Sequence, residues 1–437
     1  LMKKALPVYC AMFAIVVFVL AGCGSPLGTG GGGKGGQGAA KVTSDPVTLN
    51  AAIEGISVPE EFASLLADSV KKKYPNITLN IIQPVGQGTS LASMVAAGQA
   101  PDIVFTFNGR VKGLQEMDLL YDMTPLLKEH NVDVGRFEPN YIRDAKIASE
   151  KDELYGVPYN VNFHAMYYNK DIFDKFGAPY PKDGMTWEQL LDLARKVARK
   201  DGNTQYRGLD PGNSIIWMSQ PLSIAAIDPN TDKATVNTDL WKKVFELAKS
   251  IYMIPGNEYI PVPAKDQFMK NKTLAVLLDL NIFNQLETAT KEGLNWDMAQ
   301  YPSYPEKPNT YGNASVNVMM ITKSSKYKHE AMEAIKIAVS DEVQTAMSRL
   351  ALLSPLKSEA VKKAFGESRD FLKNKHVEGI FKSKPVPYPV ASQYRSKAEN
   401  ILIQKFNEFR DGKIDVNTAL SRAEEEINQM VATEKGK

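Results

Sequence analysis

A proline set inside a run of strand-forming residues limits what this chain can build. Asp152–Lys170 reads DELYGVPYNVNFHAMYYNK. Lys151-Asp152 predicts a turn and Leu154–Val157 a short strand. Pro158 predicts an interruption, because proline donates no N–H to a ladder and its φ is fixed. Beyond it, Val161, Phe163, Ala165 and Tyr167 alternate with Asn162, His164, Met166 and Tyr168, as on the two faces of a strand. An interrupted strand carrying Tyr159, Asn160 and Asn162 at its break suits a segment that crosses between two bodies. An ordinary hairpin in an α/β protein accounts for the same pattern.

The flanking sequence alternates strand and helix. Val47, Leu49, Ala51 and Ile53 have the period of a strand. Ser57-Val58-Pro59-Glu60-Glu61 predicts a helix start, with Ser57 as cap, proline in the first turn and acids at the positive end. Phe62, Leu65, Leu66 and Val70 form its apolar stripe, and Ile77, Leu79 and Ile81 restart the period of two. Strand, helix and strand within 35 residues predict a βαβ unit and a parallel sheet. Pro101-Asp102 leads into a strand over Ile103–Phe107, and Thr186-Trp187-Glu188-Gln189 has the form of a capping box. The C-terminal part predicts a proline-rich loop (KSKPVPYPVASQY) followed by two amphipathic helices. The 437 residues suffice for two domains.

YGVPYNVNFHAMYYNKDIFDKFG followed by MTWEQLLDLARKV resembles the middle of extracellular solute-binding proteins of ABC importers, above all their sugar-binding branch. GQAPDIVF, the run from Gln267 to Val276, and the run from Ser324 to Ala360 resemble other segments of that family in the same order, although Lys272 stands where glycine is commoner. The resemblance implies a two-lobed α/β fold of the type II periplasmic-binding-protein kind, with a hinge and an interlobe cleft. Lobe 1 would comprise 46–159 and 316–356; lobe 2 would comprise 160–315 and 357–437 with the C-terminal helices. It also implies that the residues following Pro158-Tyr159 face a ligand.

The N-terminus has its own character. Lys3-Lys4, an apolar run over Leu6–Leu20 and the tetrad Leu20-Ala21-Gly22-Cys23 have the three parts of a secretory signal. The tetrad resembles the bacterial lipobox, which implies a signal over 1–22 and a lipid on Cys23. Gly24–Lys41 is glycine-rich with little to bury, a flexible tether spanning roughly 23 Å. Together these imply an anchored protein on the outer face of the plasma membrane, and the long tether suits a Gram-positive surface. The only other cysteine is Cys10, so a mature chain would hold no thiol for a disulfide, metal or nucleophile.

Catalytic patterns are sparse. His130, His164, His329 and His376 are scattered, and there is no H-E-x-x-H, G-x-S-x-G or phosphate loop set between a strand and a helix. Carboxylates are numerous enough that a glycosidase pair stays open. Asp228, Asn230, Asp232 and Asp239 fall at positions 1, 3, 5 and 12 of a calcium loop, but Lys233 replaces its glycine; a polar turn explains them equally. No cofactor is implied. A net charge of +2 and the lack of a basic cluster argue against nucleic acid.

A binding site for saccharide needs planar amides and carboxylates for hydroxyls, and rings for the flat C–H face of the sugar. The candidate ligand residues are Phe107, Asn108, Tyr159, Asn160, Asn162, Trp217, Asp279, Asn281, Asn313 and Tyr394, with Tyr388 beside them. Trp187 is read as a packing residue and Trp296 as a surface or packing one. Arg110 and Arg207 are the candidates for an anionic cargo. The expected function is capture of a sugar or oligosaccharide and delivery to an ABC permease, by a monomer. A peptide or polyamine cargo, a ligand-presenting sensor and a surface polysaccharide enzyme are the alternatives.

Overall fold

A computed structural model describes residues 42–85, 88–149, 151–212 and 214–436. The predicted signal over 1–22, Cys23 and the run Gly24–Lys41 lie outside the described residues. Twelve strands are present among the described residues: β1 Val47–Ile53, β2 Ile77–Ile82, β3 Ile103–Phe107, β4 Val157–Val161, β5 His164–Asn169, β6 Arg199–Asp201, β7 Thr204–Asp210, β8 Leu274–Leu280, β9 Trp296–Ala299, β10 Thr310–Asn313, β11 Val316–Ile321 and β12 Lys384–Val386.

They form two five-stranded sheets and one short pair. The first sheet has the order β2-β1-β3-β11-β4, with β1 parallel to β2 and β3, and β11 antiparallel to β3 and β4. The second has the order β6-β7-β8-β5-β9, with β7 parallel to β8 and β5 antiparallel to β8 and β9. The βαβ reading of the first 80 residues is therefore correct. The helix Glu60–Lys73 buries Phe62, Leu66 and Val70, one residue per turn of the same face. It starts after Pro59, and Ser57 makes no cap. The capping box is present: Thr186 Oγ1 accepts from the Gln189 amide at 3.3 Å, and Gln189 Oε1 accepts from the Thr186 amide at 2.9 Å.

Three passages join the sheets. The first runs from β4 to β5 through Asn162-Phe163, the second from β10 to β11 through Ala314-Ser315, and the third leaves the first sheet after Ala351–Leu356. Pro158 sits opposite Val318, where the β4–β11 register shifts, which is how the ladder tolerates the missing donor. The Asn162 amide donates to Ser315 O at 2.9 Å, and the Val161 amide to Leu353 O at 2.9 Å, so each passage is bonded to another. Gln344 completes the junction from a fully buried position. Its Nε2 donates to Tyr159 O (3.0 Å) and Ala338 O (2.8 Å), and its Oε1 accepts from Ser354 Oγ (2.5 Å).

The N-terminal edge of the described chain is held on the first sheet's body. Asn76 Nδ2 donates to Thr43 O and Asp45 O, and the Thr43 amide donates to Glu330 Oε1 at 2.9 Å. Removing a buried partner leaves desolvated polar groups at about 1–3 kcal/mol each. We expect Gln344→Leu to destabilise the protein by about 2–5 kcal/mol, read as a lower midpoint in urea denaturation with an unchanged slope.

Candidate ligand site

The strand ends bring the site together. Val316 pairs with Val161 and Asn317 with Phe107, so the ends of β3 and β4 and the start of β11 lie along one edge of the first sheet. His164 pairs with Leu280 and Asp210 with Leu277, which places the start of β5 and the ends of β7 and β8 along one edge of the second. The passages connect these two edges, so the loops leaving them face each other, at the carboxyl ends where open α/β sheets place ligands.

On the second lobe a cavity of about 370 Å³ opens at this edge. The helix Ser214–Ser219 and the turn after it supply Trp217 and Gln220. The helix can leave β7 so abruptly because Gly212 has a φ of +76°, and a Cβ there would lie 2.0 Å from Leu278 O. The starts of β5 and β11 add His164 and Ser315, and β10 ends on Asn313. The helix Arg395–Arg410 contributes Arg395, Ser396, Glu399 and Asn400, while Tyr388 comes from the strap between β12 and that helix.

The cavity is polar but electrically balanced. Arg395 Nε meets Glu399 Oε1 at 2.7 Å, one helical turn apart. His164 is buried between Trp217 (edge-on, 5.0 Å), Tyr311 (stacked, 5.2 Å) and Tyr301 (edge-on, 5.3 Å). Burial pushes its imidazole down to about 3, so it stays neutral. Its Nδ1 and the Oε1 of Gln220 have no hydrogen-bond partner among the described residues.

Of the residues singled out from sequence, Trp217 and Asn313 line this cavity, and Tyr388 with them. Phe107 ends β3 on the opposite lobe and Asn108 opens the short helix after it. Asn108 Oδ1 accepts from the Val316 amide at 3.2 Å, and its Nδ2 is buried without a partner among the described residues. Next to them Gly109 leaves room for Tyr388: a Cβ there would lie 2.1 Å from the tyrosine hydroxyl. Asp144 of the first lobe accepts a backbone hydrogen bond from Tyr388, so the strap touches both lobes.

The other candidates have different work. Tyr159 is 2% exposed, stacked on Phe62 at 5.3 Å and edge-on to Phe105 at 5.4 Å; it is core of the first lobe and closed to ligand. Asn160 bonds Leu353 O and Asn317, Asn162 bonds Ser315 through its backbone, and Asn281 Nδ2 bonds Ala351 O at 3.2 Å, so these amides tie the passages. Asp279 is 4% exposed and pairs with Lys265 at 3.2 Å, away from the cavity. Tyr394 packs half-buried at the start of its helix.

Neither anion candidate is free. Arg110 is paired with Glu54 and Arg207 is buried against Asp210 and Gln267. The calcium-loop candidates are engaged as well, as the polar turn would have them. Asp228 accepts from Asn230, Thr231 and its hydroxyl as a turn, and Asp232 binds Ser392 and Lys435. No group of three His, Cys, Asp or Glu side chains converges among the described residues.

His164, Gln220, Ser315, Arg395, Glu399 and Asn400 were not foreseen as site residues. Arg395 and Glu399 carry the i,i+4 pattern of an ordinary solvated helix face; nothing in the sequence separates the two.

Residues 66–375 match the family described as bacterial extracellular solute-binding protein, and the chain belongs to that family. Among curated relatives, the arabinooligosaccharide-binding protein of Bacillus subtilis is 27% identical over 271 residues, which is 60% of this chain and 57% of the relative. The chain thus spans just over half the length of that relative. The sn-glycerol-3-phosphate-binding periplasmic protein UgpB of Brucella melitensis is 26% identical over 302 residues, 63% of this chain and 67% of the relative. Among solved structures, the ABC substrate-binding protein Lmo0181 from Listeria monocytogenes, in complex with cycloalternan, superposes with a TM-score of 0.72 at 17% identity, covering 89% of this chain and 100% of that one. The sugar-binding protein MalE from Xanthomonas citri gives 0.68 at 19% identity, covering 89% and 98%. The fold is the two-lobed α/β fold of these proteins.

The depressed imidazole makes a pH prediction. Below about pH 6.5 the unfolded chain binds a proton at His164 that the folded chain does not take up until about pH 3, so stability falls as pH drops through that window. The loss is about 1.4 kcal/mol per unit from this group. His164→Phe keeps the ring and removes the proton site. Urea midpoints at pH 6, 5 and 4 are expected to fall less steeply for this variant than for the parent.

Proposed function

We propose that the protein captures a neutral saccharide, of oligosaccharide size, between its two lobes and hands it to an ABC permease in the membrane. The charge balance of the cavity carries this reading. Its two charged side chains among the described residues, Arg395 and Glu399, neutralise each other, and burial keeps His164 uncharged. A phosphate or carboxylate ligand needs an unpaired cation, and a polyamine needs converging unpaired carboxylates. What is left is a ring, amides and hydroxyls: Trp217, Gln220, Asn313, Ser315, Ser396 and Asn400. These suit the hydroxyls and flat face of a sugar. The relatives named for arabinooligosaccharide and the structural neighbours named for sugars support the same class.

Binding would close the lobes by a hinge motion about the three passages, and the permease would receive the closed form. Energy for transport would come from a separate ATPase, and the ligand would leave chemically unchanged. A lipid on Cys23 would hold the monomer at the outer face of the membrane, at a Gram-positive surface.

Thermal unfolding against mannose-, maltose- and arabinose-type oligosaccharides, glycerol 3-phosphate, peptides and spermidine tests the cargo. A ligand at 100 times its Kd adds about 2.7 kcal/mol, a shift of roughly 5–10 °C for a lobe of about 200 residues. We expect a neutral oligosaccharide to give that shift and to be recovered uncut. A shift with glycerol 3-phosphate or spermidine alone would refute the charge argument. Trp217→Ala is expected to weaken the saccharide by roughly tenfold, the loss of about 1–2 kcal/mol of ring contact, in isothermal titration. Cys23→Ala is expected to move the protein from the membrane fraction to the medium, measured by blotting of fractionated cells.

A further inference from the structure

A second chamber of about 290 Å³ adjoins the first. The two share Ile216, Gln220, Asn313, Tyr388, Arg395 and Glu399, so they lie side by side on common residues. Their linings differ in kind. The second chamber is walled by Ile224, Ala225, Ala226 and Ile227 on one side, with Trp241 behind them. Pro387, Pro389, Val390 and Ala391 of the strap close the other side.

Several polar atoms that reach this chamber are engaged already, while Gln220 Oε1, shared with the polar chamber, has no partner among the described residues. Ala225 O accepts from Trp241 Nε1 at 3.1 Å and from Thr235 Oγ1 at 2.7 Å, and Ala226 O accepts from the Thr235 amide at 3.1 Å. Ser392 Oγ donates to Asp232 at 2.7 Å and accepts from the Tyr394 amide, and Ser219 Oγ donates to Ile216 O at 2.9 Å. A bare sugar ring placed here would bury hydroxyls without partners, which is unfavourable. An apolar group set against the Ile224–Ile227 wall and the strap would gain by leaving water. An apolar cavity of about 150 Å³ is enough for benzene, so an aryl or short acyl group fits this one.

We propose that the protein selects a substituted saccharide: the sugar occupies the polar chamber beside Trp217, and an apolar aryl or acyl substituent fills the chamber under the strap. The inference rests on the saccharide reading and deepens it. Tyr388 stands at the junction, common to both chambers. The strap is held as a wall by β12, whose Lys384–Val386 pairs with Thr310–Asn313 of β10.

Isothermal titration of the purified protein compares mannotriose, maltotriose and arabinotriose with their p-nitrophenyl glycosides. For the trisaccharide that binds, the aryl form is expected to bind at least tenfold tighter. Ala391→Phe, which fills the apolar chamber, and Ile224→Asn, which makes it polar, both lie outside the polar chamber. Each is expected to abolish most of that gain while the plain trisaccharide binds within about twofold of the parent. Equal affinity for plain and aryl forms in the parent overturns the inference and leaves the saccharide reading standing. So does a gain that survives in both variants. Failure of every plain and aryl saccharide to bind overturns both.

Discussion

Two sheets that share no ladder are held together by hydrogen bonds between the three passages that join them. The bonds run from backbone to backbone at Asn162–Ser315 and Val161–Leu353, and through amide side chains at Asn160, Asn281 and Gln344. Their burial matters more than their number. Gln344 is fully buried, and Asn160 and Asn281 are partly buried. An amide buried at a junction is costly to leave unpaired, so Gln344 above all penalises other arrangements of the passages. The cleft inherits its geometry from that constraint. The edges that carry Phe107 and Asn108 on one lobe, and His164 and Leu280 on the other, are in register only because the passages are.

The site built on this junction is neutral by two separate devices. An ion pair within one helix cancels the charge of Arg395, and a cage of rings keeps His164 unprotonated. A cavity of this kind exerts little long-range pull on charged solutes and discriminates by hydrogen-bond geometry and ring contact. The relatives named for glycerol 3-phosphate use the same family fold; the fold alone does not choose the cargo.

Local rules carried much of the architecture. The period of two in β1, the stripe Phe62, Leu66, Val70 and the capping box at Thr186 each depend on neighbours in sequence, and each is found in the structure. The site was less legible. Tyr159 lies next to a predicted crossing, but period alone does not tell which face of a strand meets a core, and Phe62 and Phe105 claim it. Asn160, Asn162 and Asn281 bond the passages, and an amide that ties two passages looks the same in sequence as one that binds a hydroxyl. Trp217 and Asn313 were legible because polar loops after strand ends tend to face the cleft. The strap was invisible as a wall, since β12 pairs with a strand some 70 residues away.

The clip around Thr43 and Asp45 has a mechanical consequence. Asn76 and Glu330 both belong to the body of the first sheet, and they grip the chain where it enters the fold. Any force arriving along the chain from the N-terminal side is therefore delivered to that lobe alone. The second sheet's body, with its cavity, strap and C-terminal helices, receives that force only through the passages and contacts such as Asp144–Tyr388. A load on the N-terminal side thus enters through the first sheet's body, while Trp217, Arg395 and Glu399 line the cavity on the other.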